Sequence, residues 1–150
     1  PSIATREYVA YAKVARLDPQ DPQIFTEPQE RRVPTTTRPS FRGPVVEFIG
    51  RYTISAGETL TQALLGREPH ITRIGESTQG VFSDVQGRSL PNGWSFGLPN
   101  ELFLTGDGRS FDGSGIPPDI EVPVFRLADL EAGLDPALEA ALAHLGAPGG

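Results

Sequence analysis

The sequence predicts an α/β fold built on a strand–helix–strand core, and three stretches carry the prediction. An apolar run, Val45-Val46-Glu47-Phe48-Ile49, precedes a segment from Ser55 to Leu65 in which Leu60, Ala63, Leu64 and Leu65 recur at helical spacing. Gly66 supplies a C-terminal stop, and Ile71-Thr72-Arg73-Ile74 then reads as a second strand ending at Gly75-Glu76. Strand, helix and strand in that order normally give a right-handed crossover and a parallel pair.

The remaining elements follow along the chain. Tyr8 to Arg16 alternates as a strand would, although its alanines leave a short helix open. From Asp18 to Pro44 there are six prolines, at 19, 22, 28, 34, 39 and 44. That density forbids a regular helix, so residues 17–44 read as an extended connection. Ile24, Phe25 and Phe41 within it suggest that it drapes over a core. Leu90-Pro91-Asn92-Gly93-Trp94 contains Asn-Gly, a favoured type I′ hairpin turn, with strand-like residues on both sides. Asp107-Gly108 marks a further turn, residues 113–119 are irregular, and Ile120 to Phe125 reads as a short extended piece. At the end Asp135 caps, Pro136 takes the first helical position, and Leu134, Leu138, Leu142 and Leu145 line one face up to Gly146. Residues 146–150 should fray.

A chain of 150 residues supports one domain with a modest core. With 17 glycines and 15 prolines, loops and short elements should be plentiful. No apolar run approaches the roughly 20 residues of a membrane-spanning helix. The net charge of −6 argues against nucleic acid as a partner, because phosphate binding needs clustered cations. Without cysteine, and with His70 and His144 in separate segments, no metal site and no cofactor is expected, and the compartment stays unassigned. The lack of any methionine suggests a piece of a longer protein.

Ser55 falls where strand gives way to helix, and two readings compete for it. Ser55-Ala56-Gly57-Glu58 matches a capping box, in which the serine oxygen bonds an early helix N–H and the glutamate reaches back. Alternatively, the helix N-terminus can stabilise an oxyanion while the serine attacks an acyl carbon, with the Ala56 N–H as donor. Residue 53 is threonine, so the G-x-S-x-G elbow is not present.

Several blocks in order resemble the C-terminal part of S41 serine peptidases, a group that includes the tail-specific (C-terminal processing) proteases and relatives of tricorn and of interphotoreceptor retinoid-binding protein. They are Gly43-Pro44-Val45-Val46, Thr53-Ile54-Ser55-Ala56-Gly57-Glu58, Ile74-Gly75-Glu76-Ser77-Thr78-Gln79-Gly80, Leu90-Pro91-Asn92-Gly93 and the run from Asp107 to Asp119. The resemblance spans residues 41 to 122 and implies a ClpP/crotonase-like α/β domain with a hairpin and a C-terminal helix. It implies Ser55 as nucleophile, doubling as a cap, and Ala56 N–H as oxyanion donor. Asp112 falls where the tricorn-like branch places its acidic triad member; an ordinary turn aspartate is the competing reading.

Two departures bear on mechanism. Where tail-specific members carry a catalytic lysine, this chain reads Gly80-Val81-Phe82, and its one lysine is Lys13. The tricorn-like branch draws its histidine from before the serine, and no histidine precedes Ser55 here. The expectation is therefore a bacterial serine peptidase domain acting on peptides or proteins, its base supplied by an N-terminal segment of the same protein, so that the isolated chain is inactive. The alternative is a non-catalytic binding module for apolar ligands or peptides, with Val81 and Phe82 lining its pocket. Self-association into homo-oligomers rests on fold analogy alone.

Overall fold

The computed structural model describes all residues except 1–3, 5, 19, 38 and 147–150, so most of the expected C-terminal tail lies outside the described residues. Its centre is the expected crossover. Strand β3 (Val45–Ile49) and strand β4 (Ile71–Gly75) pair in parallel, joined by helix α1 (Ala56–Leu64). A short strand, β8 (Ile120–Glu121), adds in parallel to the other side of β4. This sheet has the order β3-β4-β8.

A second sheet, β2-β1-β7, is antiparallel throughout. Strand β1 (Tyr8–Ala15) is its centre, flanked by β2 (Gln29–Val33) and β7 (Glu101–Leu104). The alanine-containing first segment is thus a strand, its Ala10, Ala12 and Val14 alternating inward. Within the proline-rich span the chain reverses at residues 21–24, where the Ile24 N–H donates to Asp21 C=O, and residues 29–33, which lack proline, are recruited as β2. Strands β5 (Val85–Ser89) and β6 (Ser95–Pro99) form a separate two-stranded hairpin, exposed along its whole length.

The hairpin turn is not type I′. Gly93 N–H bonds back to Leu90 C=O at 3.0 Å, and only Gly93 has positive φ, at 85°. A type I′ turn over Asn92-Gly93 needs positive φ at both residues, and Asn92 does not have it, so the chain turns over Pro91-Asn92 and reverses at Gly93.

Two apolar clusters hold the molecule. In one, Ile74 and Val124 pack against Ala137 and Ala141 of helix α3 (Pro136–His144). In the other, Phe82, Phe103 and Ile116 pack with Tyr11, Leu65 and Phe111, the rings of Phe82 and Phe103 lying 6.0 Å apart. Asp135 caps α3 as expected, its Oδ1 accepting the Leu138 N–H at 3.0 Å, with Pro136 in the first turn. The leucine face of α3 does not form the core: Leu134, Leu138 and Leu145 are exposed, and the alanine face meets the sheet. Small side chains let the helix approach β4 closely, which leucine would prevent. Helix α2 (Leu127–Ala132), ended by Gly133 in the left-handed conformation, was not foreseen in the sequence.

The buried face of α1 is polar. Glu58, Thr61 and Gln62 are almost wholly buried, whereas Leu60 is exposed. Thr61 is satisfied by Glu47 Oε1 at 2.7 Å and the Gly57 carbonyl at 3.1 Å, and Glu58 is explained by what it binds.

Candidate active site

Ser55 closes the loop that leaves the carboxyl end of β3. Its φ of 54° and ψ of −114° lie outside the regions open to L-residues at low cost, and its side chain makes no capping hydrogen bond. The expected capping box is therefore absent. Its glutamate points elsewhere: Glu58 Oε1 accepts the Gly80 N–H at 2.6 Å and Oε2 the Val81 N–H at 2.7 Å. Two adjacent backbone donors from the β4 side outcompete the single N–H of Ser55, which instead donates to Val81 C=O at 2.9 Å.

The serine is thereby exposed on a sharp strand-to-helix turn with its hydroxyl uncommitted to the helix. Ala56, the first helical residue, is also exposed, and its N–H is one of the donors that a helix cannot satisfy internally. Strain of this kind, held by its surroundings, is a common mark of a functional serine.

Segment 79–82 joins this turn to Asp112. Gln79 N–H donates to Thr53 C=O at 3.0 Å, and Gly113 N–H donates to Gly80 C=O at 2.8 Å. Phe82 N–H donates to Asp112 Oδ1 at 3.4 Å. Asp112 Oδ2 is buried with no hydrogen-bond partner among the described residues. Burial pushes the Asp112 carboxyl above the usual range against the pull of the Phe82 and Phe103 backbone donors, and the charge of Glu58 adds to the rise. Ser55 and Asp112 thus rest on one short segment and are not hydrogen-bonded to each other.

His70, His144 and Lys13, the other candidate bases, are engaged elsewhere. His70 Nε2 lies 3.0 Å from Asp119 Oδ2, and His144 Nε2 lies 2.9 Å from Thr72 Oγ1. Asp119 also accepts the Arg73 N–H at 2.8 Å and the Arg73 guanidinium at 2.7 Å. Lys13 is held by Asp84 and Glu101, each at 3.0 Å. Burial lowers the Lys13 pKa, but hydrogen bonds to Glu101 and Asp84 outweigh it and leave the ammonium more firmly protonated than usual. Among the described residues no group of three or more His, Cys, Asp or Glu is placed to hold a metal ion, and no helix is long and apolar enough to cross a membrane.

A cavity of about 560 Å³ opens beside the site, at the carboxyl ends of the parallel strands. Phe48, Tyr52, Val124, Phe125, Leu130 and Leu134 supply most of its apolar wall, and Thr53 connects it to the serine turn. Neither Val81 nor Phe82 lines this cavity: Phe82 is buried in the second core cluster, and Val81 alone of the expected pair is exposed.

Comparison with known proteins places the fold and the family. The chain superposes on a candidate peptidase from Parabacteroides merdae with a TM-score of 0.83 at 24% identity, covering 98% of this chain and 45% of that one. Tricorn protease matches with a TM-score of 0.55 at 26% identity over 71% of this chain and 10% of its own. The photosystem II D1 C-terminal processing protease gives 0.56 at 19% identity, covering 81% and 29% respectively. The chain thus spans less than half the length of these structures. No curated protein sequence matches it significantly. The model of peptidase family S41 matches residues 4–122, and on that match the chain belongs to this family.

Proposed function

We propose that this chain is the C-terminal catalytic part of an S41-type serine peptidase with Ser55 as nucleophile. The observation that carries the reading is the backbone of Ser55: a serine that merely caps adopts extended dihedrals and bonds the helix, and this one does neither. In the reaction, Ser55 Oγ attacks the scissile carbonyl carbon while its proton passes to a base. The Ala56 N–H and the positive end of α1 stabilise the oxyanion, at roughly 10²–10³ in rate for one such donor. The base returns the proton to the departing amine, and water then hydrolyses the acyl ester.

The base comes from outside this chain. His70, His144 and Lys13 are each engaged by other partners, and Gly80-Val81-Phe82 offers no proton acceptor on its side chains. A histidine from an N-terminal segment of the longer protein, oriented by Asp112, completes the triad in this reading. Asp112 Oδ2 is shut off from solvent, so this role requires the carboxylate to turn outward when the histidine docks. The whole is a ClpP/crotonase-like domain, acts on peptides or proteins, and is inactive as residues 1–150 alone. Assay of the isolated chain and the full-length protein on unstructured peptides tests this. Turnover by the isolated chain that Ser55→Ala abolishes contradicts the external base, and no turnover by the full-length protein contradicts the peptidase reading.

One observation favours a second reading, a non-catalytic module for apolar ligands: the apolar cavity between the end of β3 and helices α2 and α3. Saturable binding of a fatty acid or apolar peptide to full-length protein with an inert Ser55 supports it.

A further inference from the structure

Building on the nucleophile reading, we infer that Glu58 is the positioning residue of Ser55: its buried carboxylate clamps the Gly80–Val81 amides, and Val81 in turn holds the serine in its strained backbone. Glu58 is 0% exposed, and its two oxygens accept from successive backbone N–H groups at 2.6 and 2.7 Å. An ionised carboxylate is acceptor-only, so it fits this pair of donors with both oxygens. Its place in the first turn of α1 sets its charge at the positive end of the helix.

The clamp acts on the serine from both sides. Val81 C=O receives the Ser55 N–H at 2.9 Å, and the neighbouring Gln79 N–H reaches Thr53 C=O at 3.0 Å. Segment 79–82 therefore brackets the nucleophile turn, and Glu58 is what fixes the segment to the helix. A strained residue persists only where its surroundings over-determine it. Released from the bracket, Ser55 relaxes to the extended dihedrals of an ordinary N-cap and turns its hydroxyl onto the helix. The four residues Ser55-Ala56-Gly57-Glu58 thus have two outcomes, a capping box or an exposed nucleophile, and the destination of Glu58 selects between them. Buried as it is, Glu58 touches no substrate, so it acts on turnover rather than on binding.

The test measures backbone amide hydrogen exchange in the 150-residue chain, wild type and Glu58→Gln, with Glu58→Ala as a second variant. In parallel, the rate at which a fluorophosphonate modifies Ser55 is measured in the full-length protein. Glutamine turns a donor toward one of the two N–H groups, so one bond is lost with little change in volume. In wild type the amides of Ser55, Gly80 and Val81 are protected. In a folded variant their protection falls by about tenfold or more while the β4 amides keep theirs, and Ser55 modification slows by a similar factor. With a peptide substrate, kcat falls and KM holds. Fast exchange at Gly80 and Val81 in wild type overturns the inference, as does an unchanged Ser55 amide or modification rate in a folded variant. Should neither variant fold, wild-type exchange decides. An unreactive wild-type Ser55 defeats the nucleophile reading, and the exchange data still decide the clamp.

Discussion

The backbone N–H of Ser55 lies 2.9 Å from the carbonyl oxygen of Val81, and this bond ties the start of α1 to the segment that follows β4. The serine cannot relax without breaking it. Strain at such a position costs about 1–3 kcal/mol, which glycine escapes at an entropic cost of about 0.5–1 kcal/mol. Ser55→Gly is therefore expected to stabilise the chain by about 1 kcal/mol and to raise Tm by about 2–4 °C, whereas Ser55→Ala keeps the strain and does not. Thermal unfolding followed by circular dichroism checks both.

Gly115 is where the Asp112 turn meets the site. Its φ is 73°, and a Cβ there would sit 2.0 Å from the carbonyl oxygen of Thr78. The nearest contact is the Thr78 backbone, not the end of a flexible side chain that could swing away. Gly115→Ala is expected to cost more than about 2 kcal/mol, or to push the turn away from segment 79–82. Urea unfolding of the variant measures the loss.

Two carboxyls, Asp119 and the half-buried Glu47, pull the pH dependence of stability in opposite directions. Burial raises the Asp119 pKa, but the Arg73 N–H, His70 and the Arg73 guanidinium together bring it below the usual value. Its contribution is present above the ordinary carboxylate range and is lost as pH falls through the lowered folded pKa. Burial raises the Glu47 pKa despite the Thr61 hydroxyl bonded to it and the charge of Arg73. Its contribution is present in acid and is lost as pH rises through the raised folded pKa. Asp119→Asn should flatten the acid limb of a Tm-versus-pH curve, and Glu47→Gln should flatten the decline that begins just above the ordinary carboxylate range.

Trp94 is the sole tryptophan and stands 73% exposed at the hairpin tip. Its fluorescence should be that of indole in water and fully open to acrylamide. Trp94→Ala should change stability by less than about 0.5 kcal/mol, since little packs on the ring. A blue-shifted spectrum that resists the quencher would contradict the exposed hairpin.

The parts of the fold written in periodicity and punctuation were legible. The β3–α1–β4 crossover follows from an apolar run, a helical spacing and a glycine stop, and α3 from Asp135-Pro136. Helix α2 escaped because six residues give too short a window for a period to show. The leucines of α3 suggested the wrong face, because close approach to β4 favours Ala137 and Ala141 over larger side chains. At the site, ordered motifs singled out Ser55, but nothing in Ser-Ala-Gly-Glu tells whether the glutamate reaches back to the serine or across to Gly80 and Val81. That choice belongs to tertiary structure, and with it the strained, uncapped backbone of Ser55.

The most direct measurement is mass spectrometry of the full-length protein after treatment with a fluorophosphonate, with the adduct mapped by peptide. The account predicts one stoichiometric adduct on the peptide carrying Ser55, absent from Ser55→Ala and from protein unfolded before treatment. No adduct, or one on a different residue, would contradict it.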